Sequence, residues 1–151
     1  MRSSLPNEYH GKMPIAAEKI HLVRILPSKE YFDYQCAPTD KEFRLSVAQS
    51  TKHNLDKKSF KISLAIFLEC EGQKIADYLY DFIFQVENIE EYIRDKDDKP
   101  LFSGNLISTL LAIAYSTLRG ILHTKFADTP LKDFILPVIN PNELLKSKIK
   151  T

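Results

Sequence analysis

Four histidines, two cysteines and a run of acids are the residues in this 151-residue chain that could carry chemistry. His10, His21, His53 and His123 are scattered, with no HxxxH or HExxH spacing that would put two imidazoles on one metal. Cys36 and Cys70 stand far apart and form no CxxC, so reduced, buried or half-buried thiols in a cytoplasmic protein are the expectation. Asp95, Asp97 and Asp98 form an acidic cluster, but the run lacks the loop glycine and closing glutamate of a calcium loop. A solvated charge run is the better reading. His123 reads as a histidine at a helix C-terminus, where the dipole favours a cation. Four glycines in the whole chain leave little material for a phosphate cradle. No nucleophile can be paired with a base. The sequence therefore points away from an enzyme and calls for no cofactor and no metal.

Composition narrows the classes further. Hydrophobic residues make up 44% and the net charge is +1, so one domain with a real core fits and no global field attracts nucleic acid. Lys57, Lys58 and Lys61 are a short turn cluster rather than a basic stripe interleaved with aromatics.

The elements that must position any site are organised around residues 100–125. Leu101 to Leu118 contains no charged residue. Leu106, Leu110, Ile113, Thr117 and Ile121 form one stripe at helical spacing; Ile107, Leu111, Ala114, Leu118 and Leu122 form a second beside it. A helix this apolar must be covered on two sides. The uncharged run is just long enough for a membrane span, but Ser103, Asn105, Ser108, Thr109, Ser116 and Thr117 dilute it. A helix clamped between its own sheet and a partner subunit is the preferred reading.

Upstream, residues 1–17 read as a flexible N-terminal arm and 18–151 as a single domain. Ile20, Leu22, Val23 and Ile25 give a strand that Pro27 marks as an edge or a bulge. Phe43, Leu45 and Val47 alternate as a half-buried strand. Phe60 to Cys70 alternates on every second residue and is the clearest strand. Glu71-Gly72-Gln73 fits a hairpin turn. Tyr78, Tyr80, Phe82, Phe84 and Val86 form one face of the next strand; Asp77, Leu79, Asp81 and Ile83 form an accessible outer face. Glu87 to Lys99 is a charged connection with a possible short amphipathic turn at Ile89, Tyr92 and Ile93. Asp98 and Pro100 mark the start of the long helix, which runs to about Lys125. Leu136 to Pro141 is extended, and Asn140 or Asn142 opens a last helix from Glu143 to about Lys150. Strands followed by helices predict α+β with a four-stranded antiparallel sheet, a long helix and a short C-terminal helix.

That order resembles the SecB family of protein-export chaperones. The resemblance rests on Leu101-Phe102 opening the helix, Arg119-Gly120 near its end, and Leu136-Pro137-Val138-Ile139-Asn140 leading into the last helix. It implies a homotetramer, a dimer of dimers, that holds non-native polypeptides and keeps preproteins export-competent without nucleotide. Leu106, Leu110, Ile113, Ser116 and Ile121 would lie at the oligomer interface. Handover to SecA would use Glu30, Leu79 and Asp81. The near-neutral charge balance and the basic C-terminus depart from the family pattern. Aromatics bury area without strict shape demands, which suits client contact, and Phe43, Phe60, Tyr78, Phe82, Phe102 and Phe126 are the candidates. Two other readings stay open: a SecB-like chaperone dedicated to one partner such as an antitoxin, and a small-molecule binder with a cavity lined by Tyr78, Tyr80 and Phe82.

Overall fold

The computed structural model describes residues 14–35, 42–95 and 101–149. The expected N-terminal arm, Cys36, Asp97 and Asp98 fall wholly or largely outside them. Four long strands, β1 (Ile20–Phe32), β2 (Arg44–Asn54), β3 (Ser59–Cys70) and β4 (Gln73–Val86), pair antiparallel in the order β1-β4-β3-β2. Two short strands, β5 (Ile93–Asp95) and β6 (Leu101–Phe102), pair separately. Helix α1 (Gly104–Lys125) and helix α2 (Pro141–Lys146) follow.

The period-2 pattern sets the layers. Phe60, Ile62, Leu64, Ile66 and Leu68 on β3 and Tyr78, Tyr80, Phe82, Phe84 and Val86 on β4 are buried on one face. Leu106, Leu110, Leu111, Ala114, Tyr115, Leu118 and Leu122 of α1 complete that core. Burying each such side chain is worth roughly 1.5–3 kcal/mol against exposure, so this stripe fixes the helix to the sheet. The β3–β4 hairpin closes through Glu71 (φ 51) and Gly72 (φ 80), the paired left-handed conformations of a type I′ turn.

Strand β1 is an edge, and it is irregular. Its register with β4 shifts between Leu22 and Arg24 and again between Pro27 and Lys29. Each bulge moves the following residues to the other face. The inner face therefore reads Ile20, Leu22, Ile25, Pro27, Glu30 and Phe32, opposite Val86, Phe84, Phe82, Tyr80, Tyr78 and Ala76.

Two boundaries differ from the sequence expectation. The helix begins at Gly104 rather than near Pro100, because Leu101 and Phe102 are drawn into a strand opposite Ile93 and Asp95. Ser103 then starts the helix: its N–H donates to the Tyr92 carbonyl at 2.8 Å and its own carbonyl accepts from Leu106 and Ile107. The charged connection carries the expected short turn, Ile89–Tyr92, with Ile89 and Tyr92 buried. Finally, α2 ends at Lys146 rather than near Lys150. The Asn140 side chain caps its start by accepting from the Asn142 N–H at 2.8 Å, with Pro141 at the first helical position. The chain then leaves the helix and runs beside β2.

Candidate functional site

The candidate aromatics separate into two groups at opposite ends of α1. At its N-terminal end, Phe102 packs edge-on against Phe60 (4.9 Å between ring centroids) and His53 (5.0 Å). At its C-terminal end, Phe126 meets Phe32, Tyr78 and Phe134, and Phe134 meets Phe43. Phe60, Tyr78, Phe82 and Phe126 are buried in the core; only Phe43 and Phe102 are half-buried. Tyr80 and Phe82 stack on each other within the core at 6.4 Å. Alternation marks such residues as inward-facing but does not tell a core from a groove.

Each aromatic group borders an open cleft. The first, about 350 Å³, runs along β2 past Gln49, Thr51 and His53. Its opposite wall is Leu101, Phe102 and Ile107, and the C-terminal tail closes one end through Lys148 and Ile149. Leu101 is 62% exposed there. The second cleft, about 440 Å³, is lined by Glu30, Tyr31, Phe32, Tyr34, Tyr78 and Lys125. Tyr78 reaches this cleft, whereas Tyr80 and Phe82 line neither, so the three do not share one cavity.

Gln49 organises the first cleft. It is a polar residue on the apolar face of β2 and is 1% exposed. Its Nε2 donates to the Leu145 carbonyl at 2.9 Å and its Oε1 accepts from the Thr51 hydroxyl at 2.8 Å, so every polar atom is answered. Its backbone N–H donates to Ser147 at 2.7 Å, and its carbonyl accepts from the Ile149 N–H at 2.8 Å. Together these bonds dock α2 and a parallel tail segment onto β2. A buried amide on an otherwise apolar strand face is the sequence signal that would have located this junction.

The three acid-face candidates do not lie on one face. Asp81 and Leu79 are half-buried on the outer face of β4, where Asp81 accepts from Ser63 at 2.6 Å and Ser28 at 2.7 Å. Glu30 stands opposite Tyr78 on the inner side, where it accepts from the Tyr80 hydroxyl and pairs with Lys125 at 2.8 Å. Those bonds, from Lys125 first and Tyr80 second, hold the Glu30 carboxyl below its ordinary range. Burial is the main cause that pushes the Tyr78 hydroxyl up to about 12 and raises Tyr80 as well.

The proline segment is fixed to the helix by two donors. Tyr115 donates to the Pro137 carbonyl at 2.6 Å and Arg119 Nε to the Leu136 carbonyl at 2.9 Å. Burial pushes Tyr115 up to about 12, so it remains a donor. Of the five residues expected at an oligomer interface, Leu106 and Leu110 turn into the chain's own core. Ile113 and Ser116 are exposed and Ile121 is half-buried. With Gly120 they leave an uncharged stripe on the far side of α1. By length and composition the helix is apolar enough to cross a membrane, and its inner stripe packs on the sheet.

Among the described residues, no three His, Cys, Asp or Glu side chains gather into a cluster that could hold a metal ion. His21 pairs with Glu87 at 2.6 Å on the surface. Cys70 is buried and free.

No protein-family model and no curated protein matches the chain. Among solved structures, it is similar to a SecB-like chaperone from Mycobacterium tuberculosis in complex with a ChAD peptide from the HigA1 antitoxin. The TM-score is 0.58 at 14% identity, covering 82% of this chain and 91% of that one. A protein of unknown function from Streptococcus agalactiae aligns with a TM-score of 0.40 at 8% identity, over 80% of this chain and 95% of that one. Strand order, long helix and short last helix together give this chain a SecB-like fold.

Proposed function

We propose that the protein is a chaperone of the holdase type, a binding protein rather than an enzyme, that takes up extended segments of non-native polypeptide. The observation that carries this reading is the SecB-like fold with an open, aromatic-walled cleft along a sheet edge. An exposed edge offers backbone groups to any sequence, and Phe102 and Leu101 offer apolar area without a strict shape demand. No nucleotide or metal is needed for such binding.

The protein works as a soluble cytoplasmic oligomer, a homotetramer built as a dimer of dimers, with the uncharged stripe Ile113, Ser116 and Gly120 covered by a neighbouring copy. Ile121 would lie at the margin of that contact. An uncharged stripe about two turns long is poorly suited to remain in water. In an export role, preproteins are the clients, and the outer face with Leu79 and Asp81 is the surface for a SecA-like motor.

A second reading, a chaperone dedicated to one partner, is favoured by the antitoxin peptide held by the similar mycobacterial protein. One experiment addresses both. The purified protein is added to a chemically unfolded model protein as denaturant is diluted, and light scattering is followed. A holdase suppresses aggregation at near-stoichiometric ratio; unchanged scattering removes the general reading. Proteins captured with the chain from its host then separate many unfolded precursors from one selective partner.

A further inference from the structure

We infer that the β2 edge from Gln49 to His53 is a strand-addition site for an extended, apolar-rich polypeptide segment, and that the C-terminal tail Ser147–Ile149 is its resident, displaceable occupant. This rests on the holdase reading above and says where and how a client backbone is held.

The ladder geometry carries the argument. In an antiparallel pair, hydrogen-bonded and non-hydrogen-bonded residue pairs alternate, so every second residue turns its N–H and C=O away from its partner strand. Gln49 gives both of its backbone groups to the tail, at 2.7 and 2.8 Å, and therefore none to β3. Thr51 and His53 follow at the same parity, opposite Ile62 and Phe60. Their backbone groups face the same edge, and among the described residues no strand pairs with them there. An unpaired edge of this kind is a template for another chain.

The tail shows what the edge accepts. It runs parallel to β2 in strand geometry, and Ile149 lies half-buried in the cleft beside Leu145. Beyond it the cleft continues along Thr51 and His53, walled by Phe102, Leu101 and Ile107. A client strand laid on this edge would place alternate side chains against that wall, as Ile149 does now.

The tail is also easily released. Among the described residues, one bridge and two backbone hydrogen bonds hold it to β2, and a segment held by so few bonds opens readily. Helix α2 has its own anchor, the Gln49 side chain on the Leu145 carbonyl. The tail can therefore leave without undocking the helix. Two bonds of ordinary net strength, set against the ordering of a short extended segment, leave the edge open roughly one-tenth of the time, so freeing it should tighten apparent client affinity roughly tenfold.

The test combines affinity with site-resolved amide exchange, using a reduced, carboxymethylated model protein that cannot refold as the client. Ile149→Pro in the full chain removes the N–H that donates to Gln49, and a chain ending at Lys146 removes the occupant itself. Both variants should bind client roughly tenfold more tightly. In the full chain, client should speed exchange at the Ile149 N–H while the Gln49 N–H stays protected, because its acceptor is replaced rather than lost. Equal client affinity in all three proteins, with Ile149 still protected, overturns the inference and leaves the holdase reading intact. Weaker binding by the variants makes the tail a wall of the site rather than its occupant, and also overturns it. Loss of Ile149 protection on raising protein concentration alone would assign the edge to a second copy. If no form binds client, both the inference and the holdase reading fall.

Discussion

Glu30 and Lys125 meet at 2.8 Å and join the end of β1 to the last residue of α1. Tyr80 donates to the same carboxylate from β4, so one acid ties three elements together. Lys125 is also the basic residue at the helix C-terminus, where the dipole already favours a cation.

Glu30→Gln should destabilise the chain modestly, and the difference should depend on pH. The folded-state pKa of Glu30 is lowered from its ordinary 4.5, by the hydrogen bond from Lys125 first and that from Tyr80 second. A depressed carboxyl pKa contributes stability that is fully present well above 4.5 and is lost as pH falls through the folded value. The pair is more than one-third open to solvent, so screening limits it to about 1 kcal/mol or less. Melting curves of both proteins at neutral pH should therefore differ by about 2–4 °C at most and converge as pH falls through the lowered folded-state pKa of Glu30. A gap that widens on acidification would contradict the assignment.

The case of Glu30 also marks how far the sequence could be read. The strict alternation in β3 and β4, the Glu71-Gly72 turn and the long uncharged helix were all legible, because each is a local pattern with one dominant physical cause. The face of Glu30 was not, because it depends on how many bulges β1 holds: one would put Glu30 outside, whereas the two present cancel and leave it on the face of Leu22. Pro27 marked an irregularity but not its effect on register. Core and groove aromatics looked alike for a different reason. Phe60 and Phe102 are both aromatic, both touch His53 and both border the first cleft, yet Phe60 is 1% exposed within the core and Phe102 is half-buried. That distinction is set by tertiary packing. The tail pairing at Gln49 was hidden because it joins residues nearly a hundred positions apart through backbone atoms.

Phe60→Ala and Phe102→Ala should separate stability from binding. Phe60 is 1% exposed and sits in the core. Its truncation leaves a cavity and should cost about 3–5 kcal/mol in denaturant unfolding. Phe102 is half-buried, so its truncation should cost clearly less. It should instead weaken client binding several-fold, because it removes the principal apolar wall of the first cleft. Equal client affinity for the Phe102 variant and the parent would exclude this cleft as the main contact.

Gln49→Ala should act through the side chain rather than through the backbone edge. It leaves the Leu145 carbonyl without its donor and the Thr51 hydroxyl without its acceptor, at about 1–3 kcal/mol for buried groups. The expected phenotype is a loosened α2, seen as faster cleavage after Lys146 and Lys148 by trypsin under native conditions. Unchanged cleavage would mean that Leu144, which is buried, holds the helix alone.

Ile113→Glu places a charge in the middle of the uncharged stripe of α1. In an isolated chain Ile113 is 36% exposed, and the change should leave secondary structure and melting nearly unaltered. In an oligomer built on this stripe it buries an unpaired carboxylate and should lower the mass measured by light scattering. An unchanged mass would exclude the stripe as the interface.

Gly120→Ala tests the same surface with the opposite sign. A β-carbon built at Gly120 meets nothing within 4 Å, so the single chain has room for it. Replacing glycine by alanine inside a helix is worth about 1 kcal/mol in intrinsic propensity. If water covers this turn, the variant should be more stable by about that amount, with no change in mass. If a neighbouring helix rests on Gly120, the added methyl group must push it away, since close backbone approach is what a helical glycine permits. The variant would then show a stiffer helix and a weaker assembly, read as dissociation at higher protein concentration than the parent. Greater stability with unchanged assembly would place the contact elsewhere on the stripe, toward Ile113 and away from Gly120.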